Sequence, residues 1–367
     1  MIQQKLSVLA LLGALAALSG VSQAADVTIY GRVDTGLVYQ NYFGDSEKSD
    51  SYGLESGLNT ASRWGIRGSE QINPDLSVGF RLESRFGSDT GELKGNRLFE
   101  GGAQVGLTHR QFGEVAVGRI AGINSGSGAY DLQFFMDAFG GGTFGTAVAP
   151  VKSSRMDNVV TYRSPTLSGV QVTLQHALKT DALSTKDLGS EGEASANRYW
   201  GAGVRYNVGG FNLVGVYEAS TWGHDSTVGA EKDRQVFTLG GSYRVNDVQY
   251  YVQTQYFDGV EKIDGMGTND RATNLKGYGI YAGAQVWFGL SSWQTMVYWR
   301  DYTQNNPAKS VSFDGQSIGI ATKYLYRPSK TVDIYIGGAY SQWDRVKGNQ
   351  VLTDKSFNII TGVTKYF

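Results

Sequence analysis

The most constraining feature of this sequence is an alternation of apolar and other residues with a period of two, which continues almost to the last residue. In the segment 76–86, for example, the apolar residues Leu76, Val78 and Phe80 alternate with polar or small ones. Side chains that alternate in this way lie on opposite faces of a β-strand. After Ala24, no apolar run reaches the ~18 residues that a membrane-spanning helix needs. The chain is therefore predicted to be all-β, with strands that have one apolar and one polar face.

The connections between these segments are short and long in turn. The short connections are predicted at 71–75, 110–112, 165–169, 209, 245–246, 289–292 and 326–330. The long connections are rich in Gly, Asp and Ser, and they are predicted at 41–57, 88–96, 121–155, 180–196, 221–232, 258–274, 303–312 and 342–354. All 5 prolines lie in connections, where a missing N–H breaks no ladder hydrogen bond. One rim of the sheet is thus predicted to carry turns and the other rim to carry loops.

This arrangement is typical of barrels that span an outer membrane, which have an even number of strands, short turns at one rim and long loops at the other. Lipid offers no hydrogen bonds, so a spanning sheet must close on itself. The 22 Tyr and 7 Trp suit the aromatic girdles at the two membrane interfaces. The predicted fold is a transmembrane antiparallel β-barrel of about sixteen strands, a size that leaves an aqueous channel.

Composition excludes several other classes of function. With 33 Lys and Arg against 34 Asp and Glu, the net charge of −1 argues against a nucleic-acid partner bound by bulk positive charge. The absence of cysteine excludes disulfides, Cys-ligated zinc and a thiol nucleophile. The 3 histidines are far apart in the sequence, at His109, His176 and His224. No cofactor and no metal site are therefore expected.

The first 24 residues have the pattern of a secretory signal peptide. Lys5 precedes an apolar stretch from Leu6 to about Leu18, and Ser22 and Ala24 supply the small residues of a cleavage site. The apolar stretch is short for a membrane anchor, and no charged flank follows it. We therefore predict a signal peptide over 1–24 and a single barrel domain over 25–367.

The longest connection, 121–155, is predicted to fold inward against the barrel wall. Loops of this length in a compact domain usually have a function. Its aromatic residues would be poorly placed in bulk water, and its glycines allow tight bending. These residues are Phe134, Phe135, Phe139, Phe144, Gly140 and Gly141. The alternative is a surface lid that packs only on itself.

Several short motifs resemble those of the trimeric general porins of Gram-negative bacteria. Ser62-Arg-Trp-Gly-Ile-Arg-Gly-Ser-Glu-Gln-Ile72 resembles the second-strand signature of that family, and Val117-Gly-Arg119 resembles the strand that leads into its inserted loop. Asp137-Ala-Phe-Gly-Gly-Gly-Thr143 is similar to an element of that loop, and Arg155-Met-Asp-Asn-Val-Val-Thr-Tyr162 to the strand that leaves it. The order of these motifs, with the signal peptide and the terminal Phe367, extends the resemblance over the mature chain.

The resemblance implies a passive, water-filled channel for small hydrophilic solutes and ions, formed by a homotrimer in the Gram-negative outer membrane. It also implies that Arg63, Arg119 and Arg155 face acidic residues of the inserted loop at the narrowest point of the pore, and that Phe367 resembles a barrel-sorting signal. This sequence departs from the family pattern at Ala138, where the loop acid would stand. Asp131 and Asp137 remain as nearby carboxylates, and Lys152 adds a positive charge. We therefore expect a constriction that favours anions.

The alternation also predicts which face each arginine occupies. Arg63 and Arg67 alternate with Trp64 and Ile66, which places both arginines inward. Arg119 shares the parity of Val117, so an inward position requires a bulge at Gly118 or a place near the rim, because an arginine facing mid-membrane lipid costs about 2–4 kcal/mol.

Three further arginines leave alternatives open. Arg81 and Arg85 share a face with Glu83, so they either pair with that carboxylate or extend a basic ladder along the wall. Arg155 lies at the end of a loop, where it could also be a solvated charge.

Three other functions are compatible with parts of the sequence. A substrate-specific channel for sugars or organic acids would use an aromatic slide and many polar groups in its lumen. A barrel enzyme would need a nucleophile or activated water with a base in reach, and His176 on the outward face is the residue where such a site could form. A soluble secreted β-protein fits the terminal Phe and the alternating connections poorly. The acidic loop residues Asp45, Glu47 and Asp50 could bind surface Ca²⁺ loosely.

Overall fold

The computed structural model describes residues 26–45, 48–180, 189–193, 195–222, 232–264, 269–306, 311–347 and 350–367. The segment 1–24, predicted to be a signal peptide, lies outside these residues, as do Glu47 and His224. Within them, no helix is long and apolar enough to cross a membrane. In this described part of the chain, the helical structure consists of three short turns at Lys94–Asn96, Gln133–Phe135 and Gly142–Gly145.

The structure is otherwise a single antiparallel sheet. Its strands are β1 (Asp26–Gly44), β2 (Ser49–Ser56), β3 (Arg63–Asn73), β4 (Leu76–Arg85), β5 (Gly102–His109), β6 (Gly113–Ala121), β7 (Arg155–Arg163), β8 (Val170–Ala177), β9 (Arg198–Val208), β10 (Phe211–Thr221), β11 (Arg234–Val245), β12 (Val248–Asp264), β13 (Asn269–Phe288), β14 (Ser291–Asn306), β15 (Val311–Ser329), β16 (Val332–Lys347) and β17 (Gln350–Tyr366).

The sheet closes because β1 pairs with the last strand, β17. The register runs from Arg32 opposite Tyr366 to Gly44 opposite Asp354. Beyond the end of β17, Gly31 and Phe367 exchange two backbone hydrogen bonds of 3.0 Å each. Closure leaves no edge strand with unpaired backbone groups, which is the condition for a sheet in lipid.

The barrel wall has sixteen positions although seventeen strand segments are present. β2 pairs with the upper part of β1, from Thr35 to Tyr42, and β3 pairs with its lower part, from Asp26 to Arg32. The two segments therefore follow one another along a single position of the wall. The predicted number of about sixteen strands is confirmed.

The two faces of the wall differ as the alternation predicts. On β15, for example, Ile318 and Ile320 are exposed on the outer face, and Lys323 is 2% exposed on the inner one. The other strands repeat the pattern, with Val, Leu, Ile and aromatic side chains outward. Such an apolar outer band is the surface that lipid requires of a membrane barrel.

The predicted connections are partly wrong at the loop rim. Residues 49–56, predicted in the link 41–57, form β2, and the predicted strands 58–70 and 97–109 begin later, at Arg63 and Gly102. Most of the predicted links 258–274, 303–312 and 342–354 is strand as well. The backbone ladder continues here past the apolar band, where outward side chains no longer need to be apolar, so the period-two signal disappears before the strand ends.

The connection between β6 and β7, residues 122–154, lies against the inner face of the wall. Its backbone N–H groups at Ala138 and Val151 donate hydrogen bonds to the Tyr281 hydroxyl, at 2.9 Å, and to Gln255 Oε1, at 2.7 Å. Phe139 and Phe144 pack in a buried cluster with wall residues that include Tyr335. These contacts exclude the alternative of a lid that packs only on itself.

Part of the tyrosine excess has a place that the sequence analysis did not predict. Outward tyrosines such as Tyr250 and Tyr278 are exposed and fit the predicted girdles. Others are buried on the inner wall: Tyr199, Tyr251, Tyr281, Tyr298, Tyr302 and Tyr335. A tyrosine offers the inward connection an apolar ring together with a hydroxyl for its backbone groups, which explains its use in this position.

Candidate functional site

Six arginines gather between β3 and β7, five on the strands and Arg97 in the β4–β5 connection. They form what we call the arginine cluster: Arg63, Arg81, Arg85, Arg97, Arg119 and Arg155. Arg63 and Arg85 are paired residues of the neighbouring strands β3 and β4, and Arg81 lies two inward positions further along β4, beyond Glu83. Like charges at such close range repel one another, so the cluster requires carboxylates nearby.

Glu83 is the central carboxylate of the arginine cluster. It is 1% exposed, and it forms ion pairs with Arg63, at 3.2 Å, with Arg81, and with Arg85, at 3.6 Å. The Tyr30 hydroxyl donates a further hydrogen bond to its Oε2 at 3.2 Å. Of the two alternatives for Arg81 and Arg85, the structure thus shows pairing with Glu83.

Arg119 reaches the cluster through a β-bulge. The register between β6 and β7 shifts between Gly118 and Ile120, and Gly118 has a φ of +133°. Arg119 Nη1 lies 2.7 Å from Asp157 Oδ1, and its Nε donates to the Glu100 carbonyl at 3.0 Å. The register shift places a β-bulge beside Gly118, with Asp157 and Asn158 opposite Arg119 alone. Arg119 also lies two residues from the end of β6 at Ala121, so it is near the rim as well as at the bulge.

Glu100 and Asp157 are acidic partners that the sequence analysis missed. Asp157 bridges Arg97 and Arg119, with both ion pairs at 2.7 Å, and Glu100 lies 3.8 Å from Arg85 and from Arg119. Asp157 stands two residues after the predicted Arg155, but it lies in the bulge itself, where the alternation is interrupted. Glu100 belongs to a connection without alternation, so its sequence carries no signal of its position.

Two of the predicted arginines have different surroundings. Arg155 is 8% exposed; its Nε donates to the Gly101 carbonyl at 3.1 Å and its Nη2 to Ser127 Oγ at 2.6 Å. It is therefore not a solvated loop-end charge. Arg67 is exposed nearer the turn rim, where its guanidinium lies 5.3 Å from the centre of the Tyr30 ring.

Asp131 organises the inward connection from within. Its Oδ1 accepts hydrogen bonds from the backbone N–H groups of Ser125, at 2.9 Å, Gly126, at 3.2 Å, and Gln133, at 3.4 Å. Burial raises the pKa of this carboxyl to about 7, against the opposing effect of these N–H groups. The carboxyl is 6% exposed, so it acts mainly as a structural acceptor.

Asp137 and Lys152 are also buried inside the connection. Asp137 Oδ1 accepts the N–H of Phe139 at 2.7 Å, and Lys152 donates to the Gly145 carbonyl. Burial raises the pKa of Asp137 and lowers that of Lys152, and the attraction between the two opposite charges offsets both effects. The acids that pair with the arginine cluster are thus Glu83, Glu100 and Asp157, whereas Asp131 and Asp137 serve the connection itself.

The predicted packing residues of the connection differ in exposure. Phe139 is 5% exposed, whereas Phe134 is 40% exposed. Phe135 lies flat against Arg205, whose guanidinium is 3.6 Å from the ring centre. Gly140 and Gly141 have φ angles of +63° and +119°, a region that favours glycine and that reverses the chain next to Phe139.

The remaining polar candidates have local partners. His176 stacks on Trp200 with ring centres 3.7 Å apart, and its Nδ1 lies 2.9 Å from the Tyr199 carbonyl. His109 stacks on Phe112, and Asp45 accepts the N–H of Thr353 at 2.9 Å. The described residues contain no group of three or more His, Asp or Glu that could hold a metal ion.

A closed sixteen-stranded barrel with an apolar outer face and a charged inner face defines an outer-membrane channel. The family model of the Gram-negative porins matches residues 10–345, and the chain belongs to this family. It is therefore a Gram-negative outer-membrane protein that lets solutes diffuse passively through its lumen.

Individual relatives agree with this assignment. An outer membrane porin protein of Bordetella pertussis is 27% identical over 89% of this chain and 92% of its own length. A solved anion-selective porin from Comamonas acidovorans is 20% identical, with a TM-score of 0.67 over 94% of this chain and 100% of that one. The trimer form of the Vibrio cholerae outer membrane protein OmpT is 13% identical, with a TM-score of 0.59 over 94% and 100% of the two chains. The two solved structures are similar to this chain in fold.

Proposed function

We propose that the lumen is narrowed by the β6–β7 connection and that the constriction favours anions. The observation that supports this selectivity is the charge balance of the arginine cluster, in which six guanidinium groups face the three carboxylates of Glu83, Glu100 and Asp157. The excess positive charge is fixed on the wall of a narrow pore with low-dielectric surroundings, where charges act more strongly on ions than in bulk water.

The two acids of the connection do little to reverse this balance. Asp131 and Asp137 are 6% and 4% exposed, and each accepts backbone hydrogen bonds within the connection. In contrast, the buried Nε and Nη2 of Arg85 have no hydrogen-bond acceptor among the described residues. Its ion pairs with Glu83 and Glu100 are long, at 3.6 and 3.8 Å, so the charge of this guanidinium is only partly compensated. The anion-selective barrel from Comamonas acidovorans has the same fold, which supports the proposal.

Reversal potentials in planar lipid bilayers test the proposed selectivity. With a KCl gradient across wild-type channels, the sign of the potential should show greater permeability for Cl⁻ than for K⁺. Arg63→Ser should reduce the anion preference, whereas the control Arg110→Ser should not, because Arg110 is 73% exposed on a turn and pairs with Asp75. A preference of the wild type for K⁺ would contradict the proposal.

We also propose that three copies associate through the sector β3–β8. Its strands are 8–11 residues long, whereas β12–β17 have 16–20 residues. At ~3.3 Å per residue and a tilt of ~40°, eight residues span only about 20 Å, less than the ~25 Å apolar band. Contact with another copy would remove this short sector from lipid.

The outer face of that sector supplies a surface for such contact. Val105, Leu107, Val115 and Val117 are 37–47% exposed there. Val117→Arg should shift the detergent-solubilised protein from a trimer to a monomer in light scattering, and Val252→Arg, on the long side of the barrel, should not. A wild-type protein that is monomeric under the same conditions would contradict the proposed assembly.

Two smaller proposals complete the function. Residues 1–24 are proposed to be removed as a signal peptide, so N-terminal sequencing of the mature protein should begin at Ala25.

The barrel is proposed to have no enzymatic activity, since the stacking of His109 and His176 on aromatic rings gives both imidazoles a structural role.

A further inference from the structure

A cavity of about 310 Å³ lies on the inner wall near the turn rim, next to the arginine cluster, because its lining residue Arg32 on β1 is paired with Arg63 on β3. It is formed between the tip of the inward connection and strands β13–β16, and the residues that matter most are Arg32, Phe139, Trp287, Gln294, Lys323 and Leu325. None of the six clustered arginines lines the cavity. The cavity nevertheless adjoins the cluster, because Arg32 and Arg63 both donate to the Ala61 carbonyl.

The cavity has two cationic groups with hydrogen-bond donors to spare. Lys323 is 2% exposed, and the acceptor of its Nζ is Asn59 Oδ1, at 2.7 Å, which leaves further N–H groups. Arg32 donates from Nε to the Ala61 carbonyl at 3.3 Å, and its two terminal nitrogens are left for another acceptor. Buried cations with free donors favour a carboxylate as their partner.

The acid in this cavity already has hydrogen-bond partners. Asp333 accepts two hydrogen bonds from Arg327, at 2.5 and 2.8 Å, and a third from the Tyr366 hydroxyl, at 3.0 Å. Asp333, with Asp34 and Asp137 behind the lining, offsets part of the charge of Lys323. The lining itself has Arg32, Lys323 and Arg327 against Asp333 alone, an excess of positive charge that suits an anionic ligand.

Gln294 adds a requirement for a hydrogen-bond donor. Its side chain is 6% exposed, and its Oε1 has no hydrogen-bond partner among the described residues. An unpartnered buried acceptor costs free energy, which a donor on a ligand can restore. Because Arg32 and Lys323 require an acceptor and Gln294 requires a donor, the complementary ligand carries both a carboxylate and a hydroxyl group.

The remaining walls of the cavity are apolar and aromatic. Phe139, Trp287 and Leu325 line it, and Arg244 lies over the Trp287 ring at 4.4 Å, which fixes that ring in place. Flat aromatic surfaces favour a flat aromatic ligand through stacking or edge contacts.

We propose that this cavity is a binding site for small aromatic hydroxycarboxylates, which pause there while they pass through the channel. The carboxylate pairs with Lys323 and Arg32, the hydroxyl donates to Gln294 Oε1, and the ring lies among Phe139, Trp287 and Leu325. The inference rests on the proposed channel function, because the ligand reaches the cavity through the lumen.

Ion-current block by 4-hydroxybenzoate tests the site in the wild-type channel. Increasing concentrations in a KCl-filled bilayer chamber should reduce the conductance along a saturable curve. Benzoate, which lacks the hydroxyl, should reach half-block at an about fivefold higher concentration, and the uncharged 4-hydroxybenzamide at an about tenfold higher concentration. Equal block by all three compounds, or a reduction that never saturates, would overturn the site.

Three variants separate binding from folding. Lys323→Gln should raise the half-blocking concentration of 4-hydroxybenzoate about tenfold. Gln294→Leu should make the half-blocking concentrations of benzoate and 4-hydroxybenzoate equal. A purely structural role of Gln294 would leave the ratio of these two concentrations unchanged. Lys276→Gln, on the outer face of β13, is the matched control, and its half-blocking concentration of 4-hydroxybenzoate should equal that of the wild type.

The experiment distinguishes failure of the site from failure of the channel. If Lys323→Gln alters the open conductance in KCl alone, the test of the site is the ratio of half-blocking concentrations of benzoate and 4-hydroxybenzoate in Gln294→Leu. Both concentrations are measured on the same variant, so a change in its open conductance does not affect their ratio. Normal conductance without saturable block would refute only the binding site, whereas folded, inserted protein that carries no current would refute the proposed channel itself.

Discussion

Glu83 determines how much of the positive charge in the arginine cluster acts on ions. One buried carboxylate is shared by Arg63, Arg81 and Arg85, and Tyr30 donates to it as well. Three guanidinium groups could not stand so close together without an anion between them. The same residue that makes the cluster possible therefore also weakens its attraction for permeating anions.

Glu83→Gln is expected to increase the anion preference while it lowers stability. Removal of one negative charge is worth on the order of 1 kcal/mol to an ion ~4 Å away in water, so the Cl⁻-to-K⁺ permeability ratio from reversal potentials should rise by up to about fivefold. Glu92→Gln, on an exposed link, is the control and should leave the ratio unchanged. A lower ratio in Glu83→Gln would show that the cluster does not control selectivity.

The raised pKa of Asp131 predicts a pH-dependent stability. This carboxyl has a pKa of about 7 in the folded protein because it is buried, against about 3.9 in an unfolded chain. The folded state therefore holds the proton more tightly, and the stabilisation that is full below pH ~4 is lost as the pH rises through ~7. Guanidinium-induced unfolding in lipid vesicles should show a free energy of unfolding that decreases over this window.

Asp131→Asn should remove this pH dependence and retain the fold. The three backbone N–H groups all donate to Oδ1, which the amide keeps, and Asp131 Oδ2 has no partner among the described residues. The variant should equal or exceed the wild type in stability at pH 8. Asp131→Ala, which loses the acceptor, should be less stable than both at every pH, and an unchanged pH profile in Asp131→Asn would assign the effect to another group.

At the scale of the element, the β6–β7 bulge depends on one glycine. A Cβ on Gly118 would lie 2.1 Å from the Ala103 carbonyl oxygen, and its φ of +133° disfavours other residues. Gly118→Ala should therefore disturb the bulge, displace Arg119 from Asp157 and reduce the fraction of refolded protein that resists unfolding in SDS. Gly215→Ala, where a Cβ would meet nothing within 4 Å, is the control, and equal losses in both variants would exclude a specific role of the bulge.

The elements also show what the alternation can and cannot predict. It placed Arg63 and Glu83 on the inner face because both belong to regular strands with apolar neighbours on the other side. It required either a bulge at Gly118 or a place near the rim for Arg119, because an arginine with the parity of Val117 would otherwise face lipid. It could not find β2 or the extensions of β12–β17, because outside the apolar band a strand is held by backbone pairing, and its side chains face water on both sides.

At the scale of the whole molecule, the inner wall and the inward connection share one core. Met136 packs with Val214 and Val216, and Phe139 packs with wall tyrosines. The sequence indicates that the connection folds inward, since its phenylalanines would be poorly placed in bulk water. It does not indicate which wall residues they meet, because those contacts join positions far apart in the sequence, and neither Gln255 nor Tyr281 differs in its local pattern from an ordinary inward residue.

Closure of the barrel depends on a fit between its first and last residues. Gly31 exchanges backbone hydrogen bonds with Phe367, and a Cβ at position 31 would lie 2.4 Å from Phe367 Cζ and 2.7 Å from the Arg63 carbonyl oxygen. Gly31→Ala should therefore slow closure, because a spanning sheet with an open seam leaves unpaired backbone groups in lipid. Folding of the purified chain into lipid vesicles, followed as SDS-resistant protein over time, measures this step without any contribution from cellular sorting.

A double variant identifies which of the two contacts of a side chain at position 31 would hinder the pairing of β1 with β17. Phe367→Ala removes the nearer atom, so Gly31→Ala combined with Phe367→Ala should fold faster than Gly31→Ala alone if the ring is the obstacle. If the Arg63 carbonyl is the obstacle, the double variant should fold no faster than the single one. Leu37→Ala, an outward residue of β1 that is 60% exposed, controls for the loss of apolar surface. Wild-type folding rates in Gly31→Ala would show that closure does not require the absence of a side chain at position 31.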